Sequence, residues 1–347
     1  MGFKFLPLLT ALVVTLNLAL STGKIFAGDQ EILPPNELGQ IMILEYHSIG
    51  YPEGRWRRTP ENFRKDLELL YENDYYPIAL QDLVNGNIRV PMGKTPFVIT
   101  FDDSSAGQFR YLKKGDQLVL DPQSGVGIME QFKKEHPDFP LTATFYVLPG
   151  TGGSSLFAQK EYIQEKLNFL VQNGYEIGNH TYGHINLGKV DDAVAQKQLA
   201  LAVEEIQSYL PGYQVKSFAL PFGVHPKNRI LARKGEYQGF KYSHDSVMLV
   251  GSGPVPSPYS TGFNPYKLER IQAGDTAWGP GSIVERYRKK PSLRFVSDGD
   301  PLKITIPKEL QGKLDQKWLR KYQLKMLSSI NSSLPFDRIK LVGIKRQ

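Results

Sequence analysis

The stretch that most limits what this chain can become is Phe97-Val98-Ile99-Thr100-Phe101-Asp102-Asp103. Five apolar, β-branched or aromatic residues in succession leave no face for water, so they read as one buried strand. The strand ends in two adjacent carboxylates. In parallel α/β sheets and barrels, the C-terminal ends of the strands are where ligands bind. Neighbouring side chains at a strand end point to different sides, so Asp102 and Asp103 can serve different partners, one a cation and the other a proton. The plainer alternative is that the pair caps the strand and enters a turn.

The rest of the chain repeats this arrangement. Residues 41–46 read as a strand followed at once by His47. Thr59-Pro60 supplies an N-cap and a first-position proline for a helix that carries Phe63, Leu67 and Leu70. Residues 104–140 form an excursion with a short helix expected at 128–134. A strand at 142–148, an amphipathic helix at 161–173 and a short strand at 175–178 lead into Asn179-His180-Thr181-Tyr182-Gly183-His184. A helix at 192–210 precedes a strand at 215–220, which ends in Pro221-Phe222-Gly223. Weaker strand signals lie at 239–242 and 270–273. Near the end, 302–306 reads as a strand and 314–327 as a basic helix. This alternation predicts a parallel α/β architecture. His47, Asp102, His180 and Pro221 each follow a predicted strand, which places chemistry-bearing residues on one rim of a (β/α) barrel.

Composition narrows the chemistry. The chain has no cysteine, which excludes disulfides, thiolate metal sites and cysteine nucleophiles. Any metal must be held by His, Asp or Glu, and with six histidines a spaced pair carries weight. His180 and His184 are one helical turn apart, so they can meet one ion, and an Asp from another strand would complete a facial set with open positions. The glutamate of a zincin helix is absent between them. Two ordinary histidines in a surface turn are the alternative. The net charge of +7 reads as a solvated basic surface or as attraction to anionic polymers. Dispersed Lys and Arg with no reading motif argue against nucleic acid. Lys4, the apolar run 5–20 and Ser21-Thr22-Gly23 have the pattern of a secretory signal with cleavage near Ala27, an uncleaved anchor being the alternative. The protein is therefore expected to be secreted or associated with the cell envelope. The expected organisation is a signal or anchor at 1–27, a linker at 28–39, a barrel at 40–295 and an extension at 296–347.

Taken together, Thr100-Phe101-Asp102-Asp103 and His180-Thr181-Tyr182-Gly183-His184 resemble the first two motifs of the polysaccharide deacetylases, carbohydrate esterase family 4 with its NodB-homology domain. Phe218-Ala219-Leu220-Pro221-Phe222-Gly223 resembles the third. Leu268-Glu269-Arg270-Ile271 resembles the arginine-bearing strand near the domain's end, and residues 41–50 the first strand of the family's secreted branch. The resemblance implies a distorted (β/α) barrel of about seven parallel strands with a small C-terminal extension, and a divalent metal, usually Zn2+. It implies hydrolysis of N-acetyl groups on an N-acetylglucosamine-containing polysaccharide, or of O-acetyl groups in some members. By motif, Asp103, His180 and His184 would bind the metal, Asp102 would be the general base, and the Phe222 N–H would help to hold the oxyanion. Pro221 shapes that turn, and Tyr182 and Phe222 lie toward the sugar.

Two departures stand out. Ala219 occupies the position where the third motif often carries the arginine that pairs with the base, and Arg270 is the candidate replacement. No late Leu-x-His supplies a catalytic acid. His47 is the first stand-in, a structural histidine at a strand end being its plainer reading, with His225 and His244 behind it. Trp56 and Trp278 either stack on sugar or pack. The competing functional readings are a catalytically silent glycan-binding module and an acetyl esterase on the same barrel.

Overall fold

The structure, a computed structural model, describes residues 33–251 and 253–328. The expected signal segment lies outside the described residues, and no described helix is long and apolar enough to cross a membrane. Seven parallel strands form the frame: β1 (Met42–Tyr46), β2 (Thr95–Phe101), β3 (Thr144–Val147), β4 (Glu176–Asn179), β5 (Ser217–Ala219), β6 (Ser246–Met248) and β7 (Ile271–Gln272). Their order is β6-β5-β4-β3-β2-β1-β7, with a short strand, Tyr75–Pro77, also paired to β2. The two ends of this path meet where Leu268, just before β7, pairs in parallel with Met248 of β6. The sheet therefore curls into the distorted barrel that the sequence predicts.

Helices cover the outside. α1 (Pro60–Glu72) is capped by Thr59, whose hydroxyl accepts the Asn62 N–H, and α2 (Gly125–Glu135) by Ser124 in the same way. α3 (Ile163–Gln172) and α4 (Asp192–Tyr209) follow, the latter capped by Asp191, and α5 (Pro280–Lys289) lies late in the chain. Strand alternation separates two cores. Leu44, Tyr46, Ile99, Phe101, Phe145 and Ile177 pack outward against the helices. Ile43, Val98, Tyr146, Ala219, Met248 and Leu268 share the second core with Leu38, Phe295, Ile304, Ile306 and Leu314. On β1 and β2 the register pairs Ile43 with Val98 and Glu45 with Thr100. An apolar layer thus gives way, two residues further on, to a polar one.

The expected helix at 314–327 is a misreading. Leu314, Trp318 and Tyr322, four apart, do all pack on the second core, but they do so through a 3-10 turn, Gln316–Arg320. The chain then extends as Gln323–Leu327 and pairs in parallel with Lys303–Pro307. Strand Lys303–Pro307 offers unpaired backbone there, and joining it satisfies more polar groups than another helical turn. The strand expected at 239–242 exists as Phe240–Ser243, in an antiparallel hairpin with Lys234–Tyr237 outside the barrel. The excursion after β2 holds a second hairpin, Tyr111–Lys114 with Gln117–Leu120, besides α2.

Candidate active site

The carboxylates that end β2 diverge, as alternation requires. Asp103 turns toward the residues that follow β4. Its Oδ1 lies 3.4 Å from Nε2 of His180 and 3.5 Å from Nε2 of His184. That oxygen is buried and has no hydrogen-bond partner. His180 is fully buried, and its Nδ1 meets the Ala219 carbonyl at 2.8 Å. That bond places the proton on Nδ1 and leaves the Nε2 lone pair facing Asp103. An unpartnered carboxylate oxygen with two imidazole nitrogens converging on it is a donor set that fits a divalent cation.

The loops that present these groups are strained. Asp103, Ser104, Thr181, His184 and Phe222 all have positive φ, from 45° to 74°, without being glycine. Each such residue costs on the order of 1–3 kcal/mol, and such strain is held by the surrounding structure. Gln108 is one such brace. Its buried amide donates to the carbonyls of both His47 and Asp102, tying two strand ends together. Asn179 is another: it donates to Leu199 O, and its Oδ1 accepts the Thr181 N–H.

Asp102 turns inward to Arg270. The guanidinium grips both its oxygens, with Nη1 and Nη2 each at 2.7 Å. Nη2 also donates to Glu45 at 2.7 Å, Nη1 to the Thr100 hydroxyl and Nε to the Leu249 carbonyl. All five N–H groups of a fully buried arginine are thereby used. Ala219 brings no charge at the third-motif position, and Arg270, the residue just before β7, supplies the guanidinium that pairs with Asp102. Burial pushes the Asp102 carboxyl upward, but Arg270 and then His180 outweigh it and hold the group well below the usual carboxylate range. Burial raises Glu45 more than Arg270 lowers it. Asp103 also ends below its ordinary value: burial raises it, and the neighbouring imidazoles, His180 above all, together outweigh that.

The remaining candidates divide. His47 is brought in: a ring nitrogen lies within 4.8 Å of carboxylate oxygens of both Asp102 and Glu45. Its ring packs against Trp56 at 4.6 Å. Phe222 is exposed and packs at a tilt against His184, ring centres 4.7 Å apart, while Pro221 is buried in the turn. Tyr182 is half-buried with its ring over Gly150, a position where any Cβ would lie 2.3 Å from that ring. Tyr182 therefore braces the loop after β3. His244, a stand-in for the acid, is not in the site. It is buried against Phe218, its Nδ1 meets Ala232 O, and its Nε2 accepts from Asn179, supporting the residue before His180. Burial pushes it down to about 4, so it is neutral at ordinary pH. His225 belongs to neither of the two ligand clusters found among the described residues.

Glu45 and Gln108 were missed in the sequence. Glu45 had a signal: it is the one charged residue in a strand otherwise reading as fully buried, and a buried charge needs a partner.

Residues 89–240 match the family model described as polysaccharide deacetylase. A peptidoglycan-N-acetylglucosamine deacetylase of Bacillus cereus is 24% identical over 193 residues, 55% of this chain, and the chain spans 60% of that protein's length. The Streptococcus pyogenes deacetylase PplD, solved in complex with acetate, superposes with a TM-score of 0.53 at 17% identity, covering 73% of this chain and 98% of that one. A polysaccharide deacetylase from Bacillus cereus superposes at 0.50 and 17% identity, over 72% of this chain and 68% of its own. The structural likenesses show the shared fold.

Proposed function

The chain belongs to the polysaccharide deacetylase family over residues 89–240, and from that premise we propose that it is a metal-dependent hydrolase removing N-acetyl groups from an N-acetylglucosamine-containing polysaccharide outside the cytoplasm. The observation that carries the reading is the convergence of Asp103, His180 and His184 beside an Asp102 kept ionised by Arg270. A divalent cation, Zn2+ by the chemistry of a His-His-Asp set, would supply Lewis acidity there. Asp102 takes the proton of the attacking water, a role that needs a carboxylate ionised at neutral pH. Arg270 fixes both oxygens of that carboxylate, so the base cannot rotate away from its task. The Phe222 backbone N–H holds the negative charge that develops on the acyl oxygen, an interaction typically worth roughly 3 kcal/mol. His47, facing Asp102 and backed by Trp56, returns a proton to the leaving nitrogen.

The test is acetate release from chitin oligomers, peptidoglycan and acetylated xylan, before and after chelation and after restoring Zn2+. Release from the N-acetylated polymers, lost on chelation and recovered with metal, is expected. Undiminished release after chelation would overturn the metal's role. Release from xylan alone would make the protein an esterase, and metal binding without any release would make it a glycan-binding module.

A further inference from the structure

A second strained segment stands behind the cation ligands. Leu156, Phe157, Ala158 and Gln159 have φ of 48°, 70°, 54° and 51° in succession, and none is glycine. L-residues enter this half of the map singly and seldom in runs. Ala158, with ψ at −163°, occupies a region that is otherwise almost glycine's alone. Such a turn persists only where its surroundings hold it. Lys166 grips this one. Its neighbours on the buried face of α3 are Ile163, Leu167 and Leu170, so the slot is one that an apolar side chain would ordinarily fill. The fully buried lysine instead donates from Nζ to two consecutive carbonyls of the turn, Phe157 O at 2.9 Å and Ala158 O at 3.1 Å. Burial pushes the amine down to about 8, which leaves it mostly charged at neutral pH. An ammonium between adjacent carbonyl dipoles offsets their mutual repulsion, and bonds from a charged donor are stronger than neutral ones.

The turn is fastened to the site by a residue that Lys166 grips. The Phe157 N–H donates to the Ser104 carbonyl at 2.8 Å, and the Ser104 hydroxyl accepts the Leu148 N–H at 3.1 Å. Ser104 is fully buried and directly follows Asp103, whose Oδ1 faces both imidazoles. We propose that Lys166 is a positioning residue for the cation site: the lysine sets the left-handed turn, the turn sets Ser104, and Ser104 sets Asp103. Its bonds are to the backbone of the turn and not to a cation ligand. This rests on the metal-dependent reading above.

The experiment titrates Zn2+ calorimetrically into metal-free wild type, Lys166→Met, and Lys166→Met combined with Ala158→Gly. Methionine roughly keeps the length of the side chain and removes the donor, and glycine adopts the φ and ψ of position 158 without strain. Lys166→Met should bind Zn2+ about tenfold more weakly, the scale seen when a residue behind a metal ligand is lost. The added glycine should restore most of that affinity. Ile283→Ala, buried on α5, should lose stability and keep wild-type affinity, which separates positioning from general destabilisation. Equal affinity in Lys166→Met, a loss that glycine does not relieve, or the same loss in Ile283→Ala overturns the positioning role, while tight binding by the wild type keeps the metal reading intact. A wild type that binds no Zn2+ sinks that reading and the positioning with it. Should Lys166→Met fail to fold by circular dichroism, Lys166→Gln, a shorter and uncharged donor, takes its place under the same criteria.

Discussion

The two ends of the barrel each bury a carboxylate, and they treat it in opposite ways. At the rim, Asp102 meets the bidentate Arg270 and stays ionised in spite of burial. At the other end, Glu37 is equally enclosed, and its carboxylate accepts the Thr305 N–H at 2.7 Å. Its charged neighbours are Asp298 and Asp300, of like sign, so burial, the largest effect, pushes it up to about 8. Burial alone therefore does not decide the state of a carboxyl in this fold. A charge persists only where a counter-charge has been buried with it.

The comparison breaks most severely if the counter-charge is removed. Arg270→Met strands two buried carboxylates, and such loss typically costs roughly 3–5 kcal/mol. Chemical denaturation should show that loss together with near-complete loss of turnover, and a variant of unchanged midpoint would refute the pairing. Asp102→Asn keeps the shape and removes the base, so kcat should fall roughly a thousandfold, within the range for general base catalysis. Acetate release at the wild-type rate would exclude Asp102 from that role.

Glu37→Gln probes the opposite end. A folded pKa of about 8, against the ordinary 4.5, means that Glu37 stabilises the protein fully below about 4.5, and that this is lost as pH rises through 8. The wild type should lose a few kcal/mol between about pH 5 and 9 relative to the variant, whose amide still accepts from Thr305 but cannot ionise. Urea titrations at both pH values test this, and parallel losses would sink it. The smallest change is Glu45→Gln, which retains an acceptor for Arg270 and removes one of its two charges. We expect kcat lower by about tenfold, KM unchanged and stability reduced by about 1 kcal/mol. A change confined to KM would argue that Glu45 meets substrate directly.

What the sequence made legible was whatever lies beside a strand end. Asp102, Asp103, His180 and His184 sit within a few residues of strands whose own composition marks them, so local pattern found both the strand and its cargo. Arg270 was legible only as a candidate, because its use depends on β7 reaching β1. Glu45 was overlooked because its role appears only when Arg270 arrives from 225 residues away. The stretch 314–327 failed for a related reason. Its spacing of Leu314, Trp318 and Tyr322 suits a helix, and the partner that draws its end into a strand, Lys303–Pro307, is a separate segment. Local spacing predicts which residues are buried better than it predicts the backbone that buries them.

The barrel closes at Leu268, two residues before the arginine that neutralises Asp102. During synthesis the β2 carboxylates, both imidazoles and six of the seven strands emerge before that residue. A nascent or truncated chain ending short of it would own every ligand for the cation and yet lack the ion that keeps Asp102 charged. Synthesis past Arg270 and the arming of the proposed chemistry are thus the same event, and a copy cut short of that residue would hold the cation site without its charged base.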